Sequence, residues 1–261
     1  MRLTVLGKSP SWQDVDGACS GYLIQTNSAS LLLDCGSGVF GKLRRYLDYA
    51  ALDAILISHL HADHFLDLFP YAYALTVGPR WLPPQPVETP PRPKLFGPKG
   101  LRETMRAIAG AWGPDEQLIE NAFDVEEYDV NSTLTIGDLH LRFALVPHYV
   151  TTHAVDFHSN EGSQRMTFSA DCRPNEELVS FARNTDLLLC EATVPTAQTE
   201  SGDRGHLTPG EAGELSAQAG AKRLVLTHIS DELDYTKAIS AAGQAFGGPV
   251  EIATEGAVFN L

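Results

Sequence analysis

Residues 58–64 bring three imidazoles and one carboxylate into one short segment, through His59, His61, Asp63 and His64. Packing alone does not explain this density, because every buried imidazole needs a hydrogen-bond partner. Neutral imidazole and carboxylate are common ligands of zinc and of related metals. His59 and His61 can converge on one ion, while Asp63 and His64 can face a second ion. The segment therefore predicts a metal site rather than a set of core histidines.

The metal-site segment directly follows the apolar run 54–57, and similar runs recur along the chain. They predict strands over residues 2–6, 21–26, 30–34, 54–58, 94–98, 151–157, 165–169, 186–190 and 223–227, a strand-rich segment at 123–146, and one or two strands at 250–259. Helical spacing predicts helices over residues 39–49, 65–77, 100–111, 114–121, 175–182, 209–219 and 232–246, the second of them broken or started at Pro70. This alternation of strands and helices predicts an α/β protein.

Polar residues stand at the ends of several predicted strands. His59, Asp171, Glu191 and His228 each follow an apolar run, and His148 ends another. Polar groups at corresponding strand ends converge on one edge of a sheet, where α/β proteins place their chemistry. We therefore expect these five residues to lie close together.

The composition excludes several classes of protein. Hydrophobic residues make up 43% of the chain and charged residues 20%, which is ordinary for a globular protein. No apolar run approaches the roughly 20 residues that span a bilayer. The formal net charge of −14 argues against a broad electrostatic grip on nucleic acid. A pocket that binds divalent cations would still be locally positive.

The cysteines and the N-terminus indicate a reducing compartment. None of the four cysteines, Cys19, Cys35, Cys172 and Cys190, forms a Cys-x-x-Cys motif, so neither a thiolate zinc finger nor a disulfide scaffold is expected. Residues 1–7 read as a strand and a turn, without a basic and then apolar signal stretch. We expect reduced cysteines and a cytoplasmic protein.

The 261 residues are compatible with one α/β domain or with two. Eight of the sixteen prolines lie between residues 79 and 98, which marks a Pro-rich loop at 79–93. This loop is either a surface connection or a lid or partner contact near the metal site. We expect a single domain over residues 1–261.

Several motifs, taken in order, resemble the metallo-β-lactamase fold over nearly the whole chain. They are Leu32-Leu33-Asp34-Cys35-Gly36-Ser37-Gly38, His59-x-His61-x-Asp63-His64, the later His148 and Asp171, and Leu226-Thr227-His228. The histidine motif is fairly specific by itself, and the ordered set is much more so. The resemblance implies a four-layer αβ/βα sandwich and a metal-dependent hydrolase.

The resemblance also implies seven metal ligands divided between two divalent ions. The first ion would be held by His59, His61 and His148, the second by Asp63, His64 and His228, and Asp171 would bridge the two. Asp34 would support the site through hydrogen bonds, although by itself it reads equally well as a turn residue before Gly36. Zinc is the default metal, and manganese and iron accept the same donors.

The later motifs resemble the ribonuclease Z and phosphodiesterase branch of this fold. They are Leu189-Cys190-Glu191-Ala192-Thr193, Gly205-His206-Leu207-Thr208 and residues 221–228. In that branch, the histidine of a His-x-Thr motif lies beside the metals and is positioned by the glutamate. The resemblance therefore implies catalytic roles for His206 and Glu191. Cys190 departs from the branch, in which a histidine is common at this position.

A larger departure concerns the substrate. Ribonuclease Z enzymes carry a tRNA-clamping arm between the segments that hold His148 and Asp171, and only the 22 residues 149–170 separate them here. That length holds two strands and a turn, without room for an arm. The acidic net charge agrees, because tRNA binding requires phosphate neutralisation along an extended surface. The chain thus resembles compact, arm-less phosphodiesterases, including those that act on cyclic nucleotides.

The resemblance implies hydrolysis of a phosphodiester by a hydroxide that bridges the two ions. Asp63 and Asp171 would hold and orient this hydroxide. His206, assisted by Glu191, would stabilise the developing charge or protonate the leaving oxygen. The alternatives are a tRNA 3′-processing endoribonuclease, a thioester or lactone hydrolase of the same fold, a redox protein, and a metal-binding scaffold without activity. The last two are disfavoured because the ligand set is intact.

These features define the expected partners. We expect a small phosphodiester substrate, no extended nucleic-acid surface and no membrane contact, and a homodimer remains open.

Overall fold

The structure is a computed structural model that describes residues 1–78, 91–113, 115–159, 164–199 and 204–261. Its strands are β1 (Arg2–Gly7), β2 (Gly21–Gln25), β3 (Ser30–Leu33), β4 (Ala54–Leu56), β5 (Lys94–Gly97), β6 (Asp124–Glu127), β7 (Leu134–Ile136), β8 (Leu139–Val146), β9 (Thr152–Ser159), β10 (Gln164–Phe168), β11 (Leu187–Glu191), β12 (Leu224–Thr227), β13 (Val250–Ile252) and β14 (Val258–Asn260). They form two seven-stranded sheets, in the orders β14-β1-β2-β3-β4-β5-β6 and β13-β12-β11-β10-β9-β8-β7.

Helices cover the outer faces of both sheets. The described α-helices are α1 (Val39–Leu43), α2 (Ala62–Phe65), α3 (Leu68–Thr76), α4 (Leu101–Trp112), α5 (Leu118–Ala122), α6 (Glu176–Phe181), α7 (Pro209–Ala219) and α8 (Tyr235–Phe246), with a short 3-10 turn at Tyr49–Ala51. Within the described residues, no helix has both the length and the apolar character needed to cross a bilayer.

The two-residue alternation of the strands separates three hydrophobic cores. Leu31 and Leu33 of β3 pack between the sheets, whereas Leu32 faces the helices α1 to α5. In β11, Leu189 packs between the sheets, and Cys190 faces the helices α6 to α8. Successive side chains of a strand point to opposite faces, so strands covered on both sides read as continuous apolar runs. The result is the four-layer αβ/βα sandwich that the resemblance implies.

One predicted helix is shorter in the structure, and the one or two strands predicted over residues 250–259 are two. The predicted helix 39–49 ends at Leu43, because the chain then turns to pack Tyr49 against Phe40 and Tyr71, at ring-centroid distances of 5.4 and 5.9 Å. The predicted strand segment 250–259 is two strands that border different sheets, β13 and β14, and the chain reverses between them at Gly256 with φ 84°. Tertiary packing decides both boundaries.

Two predicted features fall partly outside the described residues. Of the predicted Pro-rich loop 79–93, only residues 91–93 are described, and Arg92 donates hydrogen bonds to the carbonyl oxygens of Glu120 and Phe123. Residue 114, the predicted start of a helix, is likewise outside, and the helix that follows begins at Leu118. The four cysteines form no disulfide and are all buried.

Candidate metal centre

Strand ends from both sheets deliver the polar residues to one place. In the first sheet, β3 and β4 are parallel with Leu33 paired to Leu56, so the residues that follow, including Asp34 and Ser58, leave the sheet side by side. In the second sheet, Glu191 at the end of β11 is paired with Thr227 of β12, directly before His228. The convergence at a sheet edge that the sequence predicts is therefore present.

Left-handed backbone conformations mark these strand ends. Asp34 has φ 57°, Ala170 before Asp171 has φ 50°, and His228 has φ 49°. Non-glycine residues seldom adopt positive φ, and such strain costs on the order of 1–3 kcal/mol at each position. The strain lies where the chain turns site residues into the space between the sheets.

The first group of side chains contains His59, His61, His148 and Asp171, whose nearest donor atoms all lie within 4.8 Å of one another. Nδ1 of His61 is 3.2 Å from Nε2 of His59 and 3.1 Å from Nε2 of His148. Oδ2 of Asp171 lies 3.7 Å from His59 Nε2 and 3.9 Å from His148 Nε2. Three nitrogens and one carboxylate oxygen thus surround a small common space.

The second group contains Asp63, His64, His228 and the same Asp171. Nε2 of His64 is 3.3 Å from Oδ2 of Asp63 and 3.3 Å from Oδ2 of Asp171. Nε2 of His228 is 3.1 Å from Oδ2 of Asp63 and 3.4 Å from Oδ2 of Asp171. Because one oxygen of Asp171 faces both groups, this carboxylate is placed to bridge two ions. The structure brings all seven predicted ligands into these two groups.

Two buried polar atoms of these groups have no hydrogen-bond partner within the described residues. They are Nε2 of His64 and Oδ1 of Asp171. An unpaired buried polar atom is costly, and native structures rarely keep one without an ion, a water or a function. Both atoms belong to residues with metal-ligand chemistry. The orphaned atoms and the nitrogen and oxygen donor set fit a pair of divalent ions.

The electrostatics of the groups point the same way. Burial lowers the pKa of His59 well below its usual value, so this imidazole is neutral, which metal ligation requires. Burial also disfavours a charge on His64, but the carboxylates of Asp171, Asp34 and Asp63 raise its pKa well above the usual value. The space beside His64 therefore favours a positive charge.

The turn that carries Asp63 depends on Gly36. A Cβ atom at Gly36 would lie 1.9 Å from the carbonyl oxygen of Asp63, so any side chain there would displace the backbone. The amide of the neighbouring Cys35 donates a hydrogen bond of 2.7 Å to the carbonyl oxygen of His64. Close backbone contact therefore fixes the segment that supplies two predicted ligands.

The carboxylate of Asp34 anchors both ends of the histidine segment. Its Oδ1 accepts from the amide of Ser58 at 2.8 Å, and its Oδ2 lies 2.7 Å from Nδ1 of His64. Asp34 itself is fully buried. The hydrogen-bonding role implied by the resemblance is thus present, in addition to a place in the turn.

A second buried carboxylate, Glu191, lies on the opposite side of the centre and accepts five hydrogen bonds. Oε1 accepts from the amide of Cys172 at 2.8 Å and lies 3.0 Å from Nδ1 of His206. Oε2 accepts from the amide and the hydroxyl of Thr193, at 3.2 and 2.8 Å, and from the amide of Leu207 at 3.1 Å. A carboxylate with this many donors is occupied as an anchor rather than as a metal ligand.

The imidazole of His206 lies beside both groups. Its ring centroid is 5.0 Å from that of His148 and 5.5 Å from that of His228. The side chain is largely buried. His206 is therefore placed to act next to a substrate that reaches the centre, as the sequence predicts.

Two neighbouring residues that the sequence analysis did not single out hold the loop of His206. The carbonyl oxygen of Gly205 is 2.9 Å from Nδ1 of His148, and the amide of Gly205 donates to the hydroxyl of Tyr149 at 3.0 Å. A Cβ atom at Gly205 would lie 2.3 Å from the Tyr149 ring, so a side chain there would displace this ring. In the sequence, the only indication of this contact is the position of the two residues, Gly205 directly before His206 and Tyr149 directly after His148.

Comparison with known proteins gives the family. Residues 29–229 match the family model of the beta-lactamase superfamily domain. The probable metallo-hydrolase YhfI of Bacillus subtilis is 31% identical over 263 residues, which cover 99% of this chain and 99% of YhfI. The crystal structure of YhfI, a metallo-beta-lactamase fold protein, matches with a TM-score of 0.84 at 29% identity, covering 99% of this chain and 98% of that one.

Two further relatives cover nearly the whole chain. Protein ML1173 of Mycobacterium leprae is 34% identical over 265 residues, with 100% of this chain and 89% of the relative covered. Ribonuclease Z of Myxococcus xanthus is 27% identical over 309 aligned positions, with 100% of this chain and 98% of the relative covered. Together with the fold and the two ligand groups, these matches show that the chain belongs to the beta-lactamase superfamily, as a metallo-hydrolase of the metallo-β-lactamase fold.

Proposed function

We propose that this metallo-hydrolase cleaves a small phosphodiester, such as a cyclic nucleotide. The observation that carries the proposal is the pair of Glu191 and His206, joined at 3.0 Å beside both ligand groups. Cleavage of a phosphodiester expels an alkoxide, which needs a proton, and a positioned imidazole is the usual donor. An ester with a more acidic leaving group, such as a thioester, needs this pair less.

The ligand set itself favours an anionic substrate. It contains two carboxylates among seven residues, and the other five are imidazoles, which bind metal in their neutral form. These ligands would neutralise two divalent ions only in part, so the loaded centre would attract negative charge. When bound, such ions supply activation of water and neutralisation of charge on the phosphate oxygens. His59, His61, His148 and Asp171 would hold one ion, and Asp63, His64, His228 and Asp171 the other.

The protein's own part in the reaction is the control of a proton on His206. Because Glu191 can only accept, Nδ1 of His206 carries a hydrogen and donates it to the carboxylate. The proton transferred in the reaction is then the one on Nε2, which passes to the leaving oxygen. The buried carboxylate favours the imidazolium form from which this transfer starts. Asp63, in the second group, orients the attacking water.

The short segment between His148 and Asp171 favours a small substrate. In the structure, β9 and β10 occupy this segment and pair as antiparallel neighbours, with Ser159 opposite Gln164. The 22 intervening residues leave no length for a tRNA-clamping arm. With a net charge of −14, an extended polyanion would be repelled outside the centre itself. These features support a small diester over a precursor tRNA.

A substrate panel on protein of known metal content tests the proposal. It contains bis(p-nitrophenyl) phosphate, cyclic mononucleotides, linear dinucleotides, precursor tRNA, and a thioester and a lactone. We expect hydrolysis of a cyclic mononucleotide or a dinucleotide by protein with two metals per chain. Cleavage of precursor tRNA at its 3′ end would replace the small diester as substrate. Hydrolysis of the thioester or lactone alone would remove phosphodiesters altogether.

A further inference from the structure

In two of the predicted metal-ligating histidines, the Nδ1 atom, which faces away from the other ligands, lies beside a hydroxyl group rather than a carboxylate. Nδ1 of His59 lies 3.1 Å from Oγ of Ser58, and Nδ1 of His228 lies 2.7 Å from Oγ1 of Thr193. His59 belongs to the first ligand group and His228 to the second. Each group therefore contains one imidazole whose partner is a hydroxyl.

The hydrogen bonds of the Ser58 hydroxyl determine the tautomer of His59. Oγ of Ser58 is 2.9 Å from Oδ2 of Asp34, which as a carboxylate oxygen can only accept. The single hydroxyl hydrogen of Ser58 is therefore directed to Asp34. Toward His59 the hydroxyl can then only accept, so Nδ1 of His59 carries the hydrogen. Nε2 is left with its lone pair, directed toward His61 and Asp171.

The same reasoning applies to Thr193. Its hydroxyl lies 2.8 Å from Oε2 of Glu191 and 2.9 Å from the carbonyl oxygen of His228, and both of these oxygens are acceptors. The shorter contact, to the carboxylate, receives the single hydroxyl hydrogen, so the hydroxyl accepts from Nδ1 of His228. Nε2 of His228 therefore presents its lone pair to Asp63 and Asp171. A lone pair facing carboxylates at these distances is stabilised by a cation between them.

We propose that Ser58 and Thr193 are positioning residues that fix the tautomer and ring orientation of one histidine in each group. Ser58 acts on the first group through His59, and Thr193 acts on the second group through His228. Each hydroxyl contacts the Nδ1 atom of its imidazole, whereas the Nε2 atom faces the ligand group. The two residues act only through the imidazole that each one holds.

The interposed hydroxyls let one buried carboxylate orient two imidazoles. Asp34 holds His64 directly at 2.7 Å and His59 through Ser58, so it serves both ligand groups. A single carboxylate oxygen at the end of β3 thereby supports both metal positions.

Glu191 has the corresponding arrangement in the second sheet. It holds His206 directly at 3.0 Å and His228 through the hydroxyl of Thr193. The proposed proton donor and one ligand of the second group thus share one anchor. This shared anchor fixes the position of His206 relative to the second ligand group.

The first test needs no variant. In zinc-loaded wild-type protein, long-range ¹H–¹⁵N correlation spectra of the imidazoles should show His59 and His228 with hydrogen on Nδ1 and the lone pair of Nε2 on the metal. Hydrogen on Nε2 of either residue would overturn the assignment for that residue. This readout does not depend on the substrate, so it is independent of the proposed phosphodiesterase activity.

The second test uses Ser58→Ala, Thr193→Val and Thr193→Ser, with stepwise zinc affinities measured by competition with a chromophoric chelator. Loss of a partner that orients a ligand typically costs 10–100-fold in metal affinity, so Ser58→Ala and Thr193→Val should each weaken one of the two zinc ions by about this factor. Thr193→Ser keeps the hydroxyl and should bind zinc as the wild type does. Failure of serine to restore the affinity lost in Thr193→Val would show that the methyl packing, not the hydroxyl, matters.

A background variant shows which ion each hydroxyl supports. His61→Ala removes a ligand that belongs to the first group alone and leaves the second group complete. In this background, Thr193→Val should still weaken the remaining zinc by roughly 10–100-fold, whereas Ser58→Ala should leave its affinity unchanged. The reverse pattern, or equal effects of the two substitutions, would contradict the division between the groups.

Discussion

At the scale of single residues, the centre is defined by what lies behind each imidazole. Nδ1 of His64 and of His206 meets a buried carboxylate, and Nδ1 of His148 meets the carbonyl oxygen of Gly205. His61 is the exception, because its Nδ1 faces Nε2 of His59 and Nε2 of His148 and is therefore the nitrogen offered to the first group. Hydrogen-bond partners of this kind, at the ring nitrogen that faces away from the other ligands, fix the ring orientation before any metal binds.

The role of His206 gives the first prediction. His206→Ala should lower kcat on a phosphodiester by about 10²–10⁴-fold, because a positioned general acid contributes about that much. Metal content should stay near two per chain, since neither ligand group requires this imidazole. Enzyme assays and metal analysis on the same sample measure both quantities.

His158→Ala is the matched control for this prediction. His158 lies on β9 opposite His140 and away from both ligand groups, so this variant should retain both activity and metal. Loss of one metal in His206→Ala would instead make His206 a ligand.

Residue type, spacing and strand-end position singled out many imidazoles and carboxylates of the centre, and the resemblance to a known family supplied their grouping and the roles of Glu191 and His206. Neither identified Ser58 and Thr193 as partners, because serine and threonine are common and nothing in their own types marks a role. Their contacts depend on the tertiary placement of Asp34 and Glu191. The same holds for Gly205, whose close contact with the ring of Tyr149 exists only in the folded chain.

At the scale of elements, the strands were predictable and the helix boundaries less so. Strands such as β4 and β11 are buried on both faces and appear as uninterrupted apolar runs. The helix predicted over 39–49 ends early, at Leu43, because Tyr49 packs in an aromatic cluster with Phe40 and Tyr71. Local periodicity does not contain that contact, so it could not have set the end of α1.

The packing of α7 against α8 gives a prediction at this scale. Gly213 in α7 has no room for a side chain, because a Cβ atom there would lie 2.4 Å from the carbonyl oxygen of Ala242 in α8. Gly213→Ala should therefore lower the free energy of unfolding by roughly 1–3 kcal/mol, as overpacking does. Chemical denaturation followed by circular dichroism measures the change.

Gly243 in α8 is the matched control, since a Cβ atom there would meet nothing within 4 Å. Gly243→Ala should leave stability unchanged or raise it by about 0.5–1 kcal/mol, because alanine is the better helix former. Equal destabilisation by both substitutions would mean that the close approach of the two helices is not what restricts Gly213.

At the scale of the whole molecule, the centre joins residues from position 34 to position 228 across two sheets. Convergence at the strand ends could be predicted, because α/β proteins place polar groups there. The distances within each group could not, since they depend on left-handed turns at Asp34 and His228. Those turns depend on tertiary structure, and the residue types at these positions do not predict them.

Because the centre ties the two sheets together, metal removal should destabilise the entire fold. A ligand held at 100 times its Kd contributes about 2.7 kcal/mol per site, which corresponds to roughly 5–10 °C in the thermal midpoint for a domain of this size. Scanning calorimetry with and without a chelator should show such a fall.

A double variant provides the control for metal removal. His61→Ala combined with His64→Ala lacks one ligand from each group, so the chelator should not change its midpoint. A wild-type midpoint insensitive to chelation would argue that the two groups hold no ions.

The proposed activity is hydrolysis of a small phosphodiester by a two-metal centre with a Glu191-anchored His206. Its most direct test is the initial rate on cyclic mononucleotides and linear dinucleotides, measured together with metal content on wild-type protein. We expect hydrolysis by protein with two divalent ions per chain and loss of that activity on chelation. Fully metallated protein that cleaves neither substrate but hydrolyses precursor tRNA, a thioester or a lactone would contradict it.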